Sequence, residues 1–272
     1  MENTFFTVFR VSLFDTFYVT GSLILVGMIL GLLGNRANFY VQSAFGRKGI
    51  LVTAWIGTPI HELGHLLMCY VFRHKITKLK LFSHKEKDGT LGYVNHSWNS
   101  KSLYQNIGNF FIGMGPIFSG TCALILGMYV FLPDSFAMFS NYLALDASQP
   151  DSRTLASILA LTAQLFKSIF SVENLVSLNF WIFFALAIAI SSHIALSKED
   201  LKGASKGLIT IFFFILLVNA FALLLNADFS GFFSGILTLN VYLLAFSMVS
   251  VVFSSIRLVL SGFAYSLMHN II

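Results

Sequence analysis

Long uncharged runs separated by short polar stretches set the first expectation for this chain. Residues 17–34 (FYVTGSLILVGMILGLLG) carry no charge, and neither do residues 106–132. Further apolar runs cover 51–72, 179–197, 207–226 and 233–256. A helix needs about 20 mostly apolar residues to cross the hydrocarbon layer, so the pattern predicts about six transmembrane helices. The run at 17–34 is too long for a signal peptide and lacks a small-x-small cleavage site, so it reads as a retained helix. Residues 154–176 form an apolar run interrupted by Lys167 and Glu173, which fits an amphipathic helix at the membrane surface better than a seventh span.

Composition narrows the class. Of 272 residues, 56% are hydrophobic and only 11% charged, with a mean hydropathy of +0.78. Soluble domains are about a quarter charged, and a soluble protein of this composition would have too little polar surface to cover its core. The expected fold is an all-α membrane protein, a single integral membrane domain over residues 1–272 with the lipid bilayer as its surroundings. Cys69 and Cys122 both fall inside spans and make no disulfide framework.

The net charge of +5 matters through its distribution. Residues 73–101 hold Arg73, Lys75, Lys78, Lys80, Lys85, Lys87 and Lys101, and 198–206 hold Lys198, Lys202 and Lys206, whereas the loop at 133–152 carries Asp and no base. The positive-inside rule assigns both basic segments and both termini to the cytoplasm and leaves Arg36, Arg47 and Lys48 on the outer face. Bases beside membrane spans read as topology signals, so no nucleic-acid partner is expected. The multi-pass build without a secretory framework points to a prokaryotic plasma (inner) membrane.

Within the run at 51–72, the stretch GTPIHELGHLLMCYVF (57–72) carries His61, Glu62 and His65. Positions i and i+4 share a helix face, so both imidazoles can direct a ring nitrogen at one point. Neutral imidazole suits zinc. Glu62, about 100° round the helix, can accept a proton from a water that the metal activates. The competing reading is a pair of core histidines hydrogen-bonded to neighbouring helices. A charge near the centre of a span costs about 2.5–3.5 kcal/mol, and the trio together favours the metal. Thr58 as N-cap and Pro59 at a first helical position would break the span just before the motif, with a simple kink as the alternative. Two histidines leave a catalytic zinc site one protein ligand short.

Three segments bear on the missing ligand: HELGHLLMCYVFRHKITKLKLF (61–82), DGTLGYV (88–94) and GMGPIFSG (113–120). On these the chain resembles the site-2 protease family of intramembrane zinc metalloproteases, over about residues 51–210. The resemblance implies a motif helix leading into a strand, then a short β-hairpin whose edge, near 79–95, holds an extended substrate. It also implies a Gly-Pro segment packed against the site, and a third ligand from an Asp in a later helix. The nearest match to that Asp is Asp200, in Asp200-Leu201-Lys202-Gly203. The Asn-Pro pair that precedes it in the family is absent, and Ser192 and His193 stand near the Asn position. His193 is the alternative ligand, with a snorkelling position or a helix–helix hydrogen bond as its competing role. Asp200 lies at a span end by hydropathy, so its helix would have to be unwound or set deeper. No PDZ or CBS module has room here.

The catalytic core would cover about 51–210, with accessory helices in 1–50 and 207–272. The expected activity is that of a zinc metalloendopeptidase cutting a membrane-protein or peptide substrate in or near a transmembrane segment, with Glu62 as base. Asn109, Gly115 and Pro116 are the candidate substrate-binding residues; packing between helices is the competing role for Asn109 and for the glycines at 113, 115 and 120. A different class remains open: a non-hydrolytic membrane metal-binding protein, such as a zinc sensor or transport component, which would need the histidines but not Glu62.

Overall fold

A computed structural model of the chain describes residues 4–84, 90–146, 154–225, 227 and 230–270. The apolar runs fold as helices: α1 (Thr4–Val71), α2 (Leu103–Phe131), α3 (Pro133–Asp146), α4 (Thr154–Ile169), α5 (Val172–Leu175), α6 (Leu178–Ser191), α7 (Lys198–Leu225) and α8 (Ser230–Asn270). Between α1 and α2, strands β1 (Lys75–Lys80) and β2 (Tyr93–Ser97) pair antiparallel, with Lys75 opposite Ser97 and an irregularity between Ile76 and Lys78.

Among the described residues, four helices are long and apolar enough to cross a membrane; they lie within Phe5–Val71, Leu103–Phe131, Lys198–Leu225 and Leu243–Met268. Leu32, Val52, Leu224 and Val259 are each at least 70% exposed. An outer surface so apolar suits lipid rather than water, and the protein is a helical membrane protein. The six expected runs do not appear as six separate long helices. The runs at 17–34 and 51–72 are two arms of α1, divided at Gly46, whose φ of 61° and ψ of −159° suit glycine alone. The run at 179–197 is helical only as far as Ser191, because its last residues leave the helix before α7 begins.

Three other expectations change. Arg47 Nη2 donates to the His84 carbonyl at 3.5 Å, which brings the turn at Gly46 beside the basic hairpin instead of on the opposite face. The expected acidic loop is helix over Pro133–Asp146, and residues 147–152 lie outside the described residues. In α4, Leu161, Leu165 and Ile169 recur every fourth residue and are buried. That face packs against α3 and α8, inside the protein rather than along a membrane surface. The hairpin forms, but β2 begins at Tyr93, late in the expected DGTLGYV segment, whose first residues (88–89) also lie outside the described set.

The core gathers around α2. Phe110, Ile117, Leu124 and Met128 pack with Leu23, Val26 and Leu30 of α1 and with Phe183 and Phe253. Where α1 crosses α2, Gly64 meets Gly115 backbone to backbone: a methyl on Gly115 would lie 2.6 Å from the Gly64 carbonyl carbon. No side chain could yield there. Gly115→Ala is therefore expected to destabilise the protein by about 1–3 kcal/mol, read by thermal unfolding in detergent. Gly31→Ala, where an added Cβ meets nothing within 4 Å, is the control and should leave the midpoint unchanged or raised. Equal behaviour of the two variants would contradict the crossing as described.

Candidate functional site

The second arm of α1 runs through Gly57, Thr58 and Pro59 as continuous helix, so the backbone break expected before the motif is absent there. That continuity sets His61 and His65 on one face, with their Nε2 atoms 3.3 Å apart. Each ring is oriented from behind by a backbone carbonyl. His61 Nδ1 donates to the His193 carbonyl at 2.6 Å, and His65 Nδ1 donates to the Ile112 carbonyl at 2.8 Å. A carbonyl can only accept, so each Nδ1 carries the ring proton, and in the neutral rings both Nε2 atoms are bare. The short Nε2–Nε2 contact is thus between two lone pairs.

Asp200 completes the group. Its Oδ1 is 3.1 Å from His65 Nε2, and its Oδ2 is 3.6 Å from His61 Nε2. The carboxylate reaches this depth because α6 ends at Ser191 and α7 starts at Lys198, so Asp200 sits in the first turn of a new helix. Ser197 and Asp200 cap that turn reciprocally. The Ser197 amide donates to Asp200 Oδ2 at 2.7 Å, and the Asp200 amide donates to Ser197 Oγ at 3.1 Å. The positive end of the helix dipole favours an anion at this position.

One ligand atom from each of the three residues lies within 4.8 Å of the others. Ligands 2.0–2.1 Å from a tetrahedral zinc ion are about 3.3 Å from one another, and the separations here are 3.1–3.6 Å. Three electron-pair donors that converge with no ring proton between them need positive charge. A divalent cation held by all three supplies it at once, so the residues fit zinc.

The His–Asp group opens on a cleft of about 490 Å³, whose opposite wall is β2, from Tyr93 to His96. Glu62 lines this cleft and is buried. Gly92 lies directly over it, where an added methyl would come within 2.8 Å of Glu62 Cγ. Asn109 is also on the cleft wall, its amide donating to the Asn106 carbonyl at 3.4 Å. Gly115 and Pro116 are not. They are buried within α2, with Gly115 at the α1–α2 crossing, which gives them a packing role in place of the expected substrate contact. Gly113 similarly lets α7 approach α2, its Cα facing the Asp200 carbonyl.

His193 enters the site differently from the expectation of an alternative ligand. Its ring turns toward α1, with Nε2 3.1 Å from Thr53 Oγ1 and Nδ1 3.5 Å from Thr58 Oγ1, and its backbone carbonyl serves His61. Roles of backbone carbonyls such as those of Ile112 and His193 leave no mark in a sequence. The Ser197-Lys198-Glu199-Asp200 capping box does, and could have marked where α7 starts.

A second histidine pair lies on the hairpin side. His74 Nε2 donates to the Gln105 carbonyl at 2.9 Å, so its Nδ1 accepts from His96 Nδ1, also at 2.9 Å. Burial lowers the pKa of both, and the charges of His74 and His65 act in the same direction on His96, which is pushed down to about 4.

Two outcomes follow from this geometry. Asp200→Ala, His61→Ala and His65→Ala should each lose stoichiometric zinc by elemental analysis of the purified protein, while His193→Ala keeps it; retention by Asp200→Ala would remove Asp200 from the site. A neutral, half-buried His96 stabilises the fold fully above its ordinary pKa near 6.5, and that contribution is lost as pH falls toward about 4. Thermal unfolding should therefore weaken more in this window for wild type than for His96→Gln, and parallel pH profiles would contradict the pairing. No protein-family model matches this chain, and no curated protein or solved structure gives a significant match.

Proposed function

We propose that the protein is an intramembrane zinc metallopeptidase of the site-2 protease type, hydrolysing a peptide bond in or near a transmembrane segment of a membrane-protein substrate. The observation that carries this reading is the convergence of His61 Nε2, His65 Nε2 and Asp200 beside a buried carboxylate, Glu62, on the wall of one cleft. His61, His65 and Asp200 hold the metal, and the His193 and Ile112 carbonyls keep both imidazoles turned toward it. When bound, zinc supplies Lewis acidity, lowering the pKa of water toward about 7 and polarising the scissile carbonyl. Glu62 accepts the proton of the attacking water on its carboxylate and delivers it to the departing amine.

A helical substrate hides its peptide bonds, so the substrate is read as an extended segment lying along β2. The edge of β2 away from β1 faces the cleft, and main-chain pairing there holds a strand open without demanding particular side chains. The membrane in question is proposed to be a prokaryotic plasma membrane.

A metal-binding protein without hydrolysis would need the same two histidines but no carboxylate at Glu62, and the burial of Glu62 inside the cleft favours the peptidase. Glu62→Gln separates the two. The variant is expected to keep its zinc and to lose cleavage by about 10²–10⁴-fold, measured on membrane fragments that accumulate with wild type alone. Zinc retained together with a wild-type cleavage rate would remove Glu62 as the base.

A further inference from the structure

Residues 192–197, between α6 and α7, are non-helical at the level of the His–Asp group. Irregular backbone at membrane depth persists only where protein satisfies it. The C-terminal end of α6 adds to the demand, since it leaves carbonyls without helical partners and carries the negative end of the helix dipole. Arg257 answers both. It lies in α8, within an apolar candidate span, and is only 6% exposed. Its Nη1 donates to the Ser192 carbonyl at 3.3 Å, and its Nη2 donates to Asn38 Oδ1 on α1. Ser254, one turn earlier on α8, donates to the Ser191 carbonyl at 3.5 Å. The next carbonyl along the chain, that of His193, is the one that accepts from His61 Nδ1.

We propose that Arg257 is a positioning residue for the metal site: it ties the α6–α7 break to α8 and α1, so that the His193 carbonyl orients His61 and Asp200 arrives at the metal. A cationic fork suits this task. It complements the dipole of α6 while its two ends bind acceptors on different elements, which a neutral side chain cannot do. Charged side chains inside membrane spans are costly and mark functional positions, and here the group that gains is the break supplying two parts of the site. The inference rests on the metal reading above.

The test is zinc affinity of the purified full chain in detergent micelles, by competition with a chromophoric chelator, together with the visible spectrum of the cobalt(II)-loaded protein. Arg257→Met is expected to weaken zinc at least about tenfold, the scale found when groups supporting metal ligands are removed, and to change the cobalt spectrum. Arg257→Lys keeps the charge but replaces the guanidinium fork, whose two nitrogens each meet one acceptor, with a single nitrogen, so its affinity should fall between wild type and Arg257→Met. Asn219→Ala is the control. Asn219 donates to Asp15 Oδ2 at 2.7 Å, a partly buried α7–α1 contact that does not touch the break, and its loss should leave zinc affinity and spectrum unchanged.

Affinities and spectra of both Arg257 variants indistinguishable from wild type would overturn the inference, as would equal weakening in Asn219→Ala. If Arg257→Met does not fold, Arg257→Lys decides by the same two readouts, and wild-type values for it would overturn the inference. Wild-type protein that binds no zinc would overturn the metal reading and this inference with it.

Discussion

Two imidazole nitrogens without protons face a carboxylate across little more than 3 Å, and the surrounding structure is organised to keep them there. Left to relax, three such donors would separate or take up a proton. Each is instead held from behind by a group that cannot move freely. Backbone carbonyls bind both Nδ1 protons, and a reciprocal cap at the start of α7 fixes Asp200. The convergence has a direct chemical meaning, because a cation of zinc's size satisfies all three atoms with no rearrangement.

Bringing those supports together accounts for the main irregularities of the fold. The Ile112 carbonyl can reach His65 because α1 and α2 approach at Gly64 and Gly115 with no side chain between them. The His193 carbonyl and Asp200 are available because the chain leaves helical geometry between Ser191 and Lys198. The break in turn draws on α8 and α1, through Arg257, Ser254 and Asn38. The hairpin closes the opposite side, with Gly92 seated over Glu62. Under the proposed function, an extended peptide would enter between that hairpin and the histidines, and the buried carboxylate would sit beside the bond to be cut.

Part of the candidate site is legible in the sequence because helical spacing is local. His61, Glu62 and His65 declare their shared site by position alone, and the apolar runs declare the membrane. Asp200 is reached through resemblance; it sits in the first turn of α7, after the non-helical residues 192–197, with its carboxylate beside the two histidines. What escaped depends on tertiary context. A hydropathy window counts apolar residues and is blind to the break after Ser191 and to the turn at Gly46, so the count of six spans did not hold as six long helices. The ring of His193 takes the competing role of a hydrogen bond to a neighbouring helix, and what it contributes to the site is its carbonyl, which any residue possesses. Gly115 and Pro116 looked like substrate contacts because of the segment they belong to, whereas their burial at a helix crossing explains them by packing. Arg257 falls just beyond the apolar run at 233–256. A lone charge in the long apolar helix α8 was the available signal.

The central claim is that His61, His65 and Asp200 form one metal site. X-ray absorption at the zinc edge, on purified wild-type protein in micelles, tests it most directly. The expected result is a nitrogen and oxygen shell at about 2.0–2.1 Å, with the outer scattering of two imidazoles and no sulfur. A shell containing sulfur, or one without imidazole scattering, would contradict it.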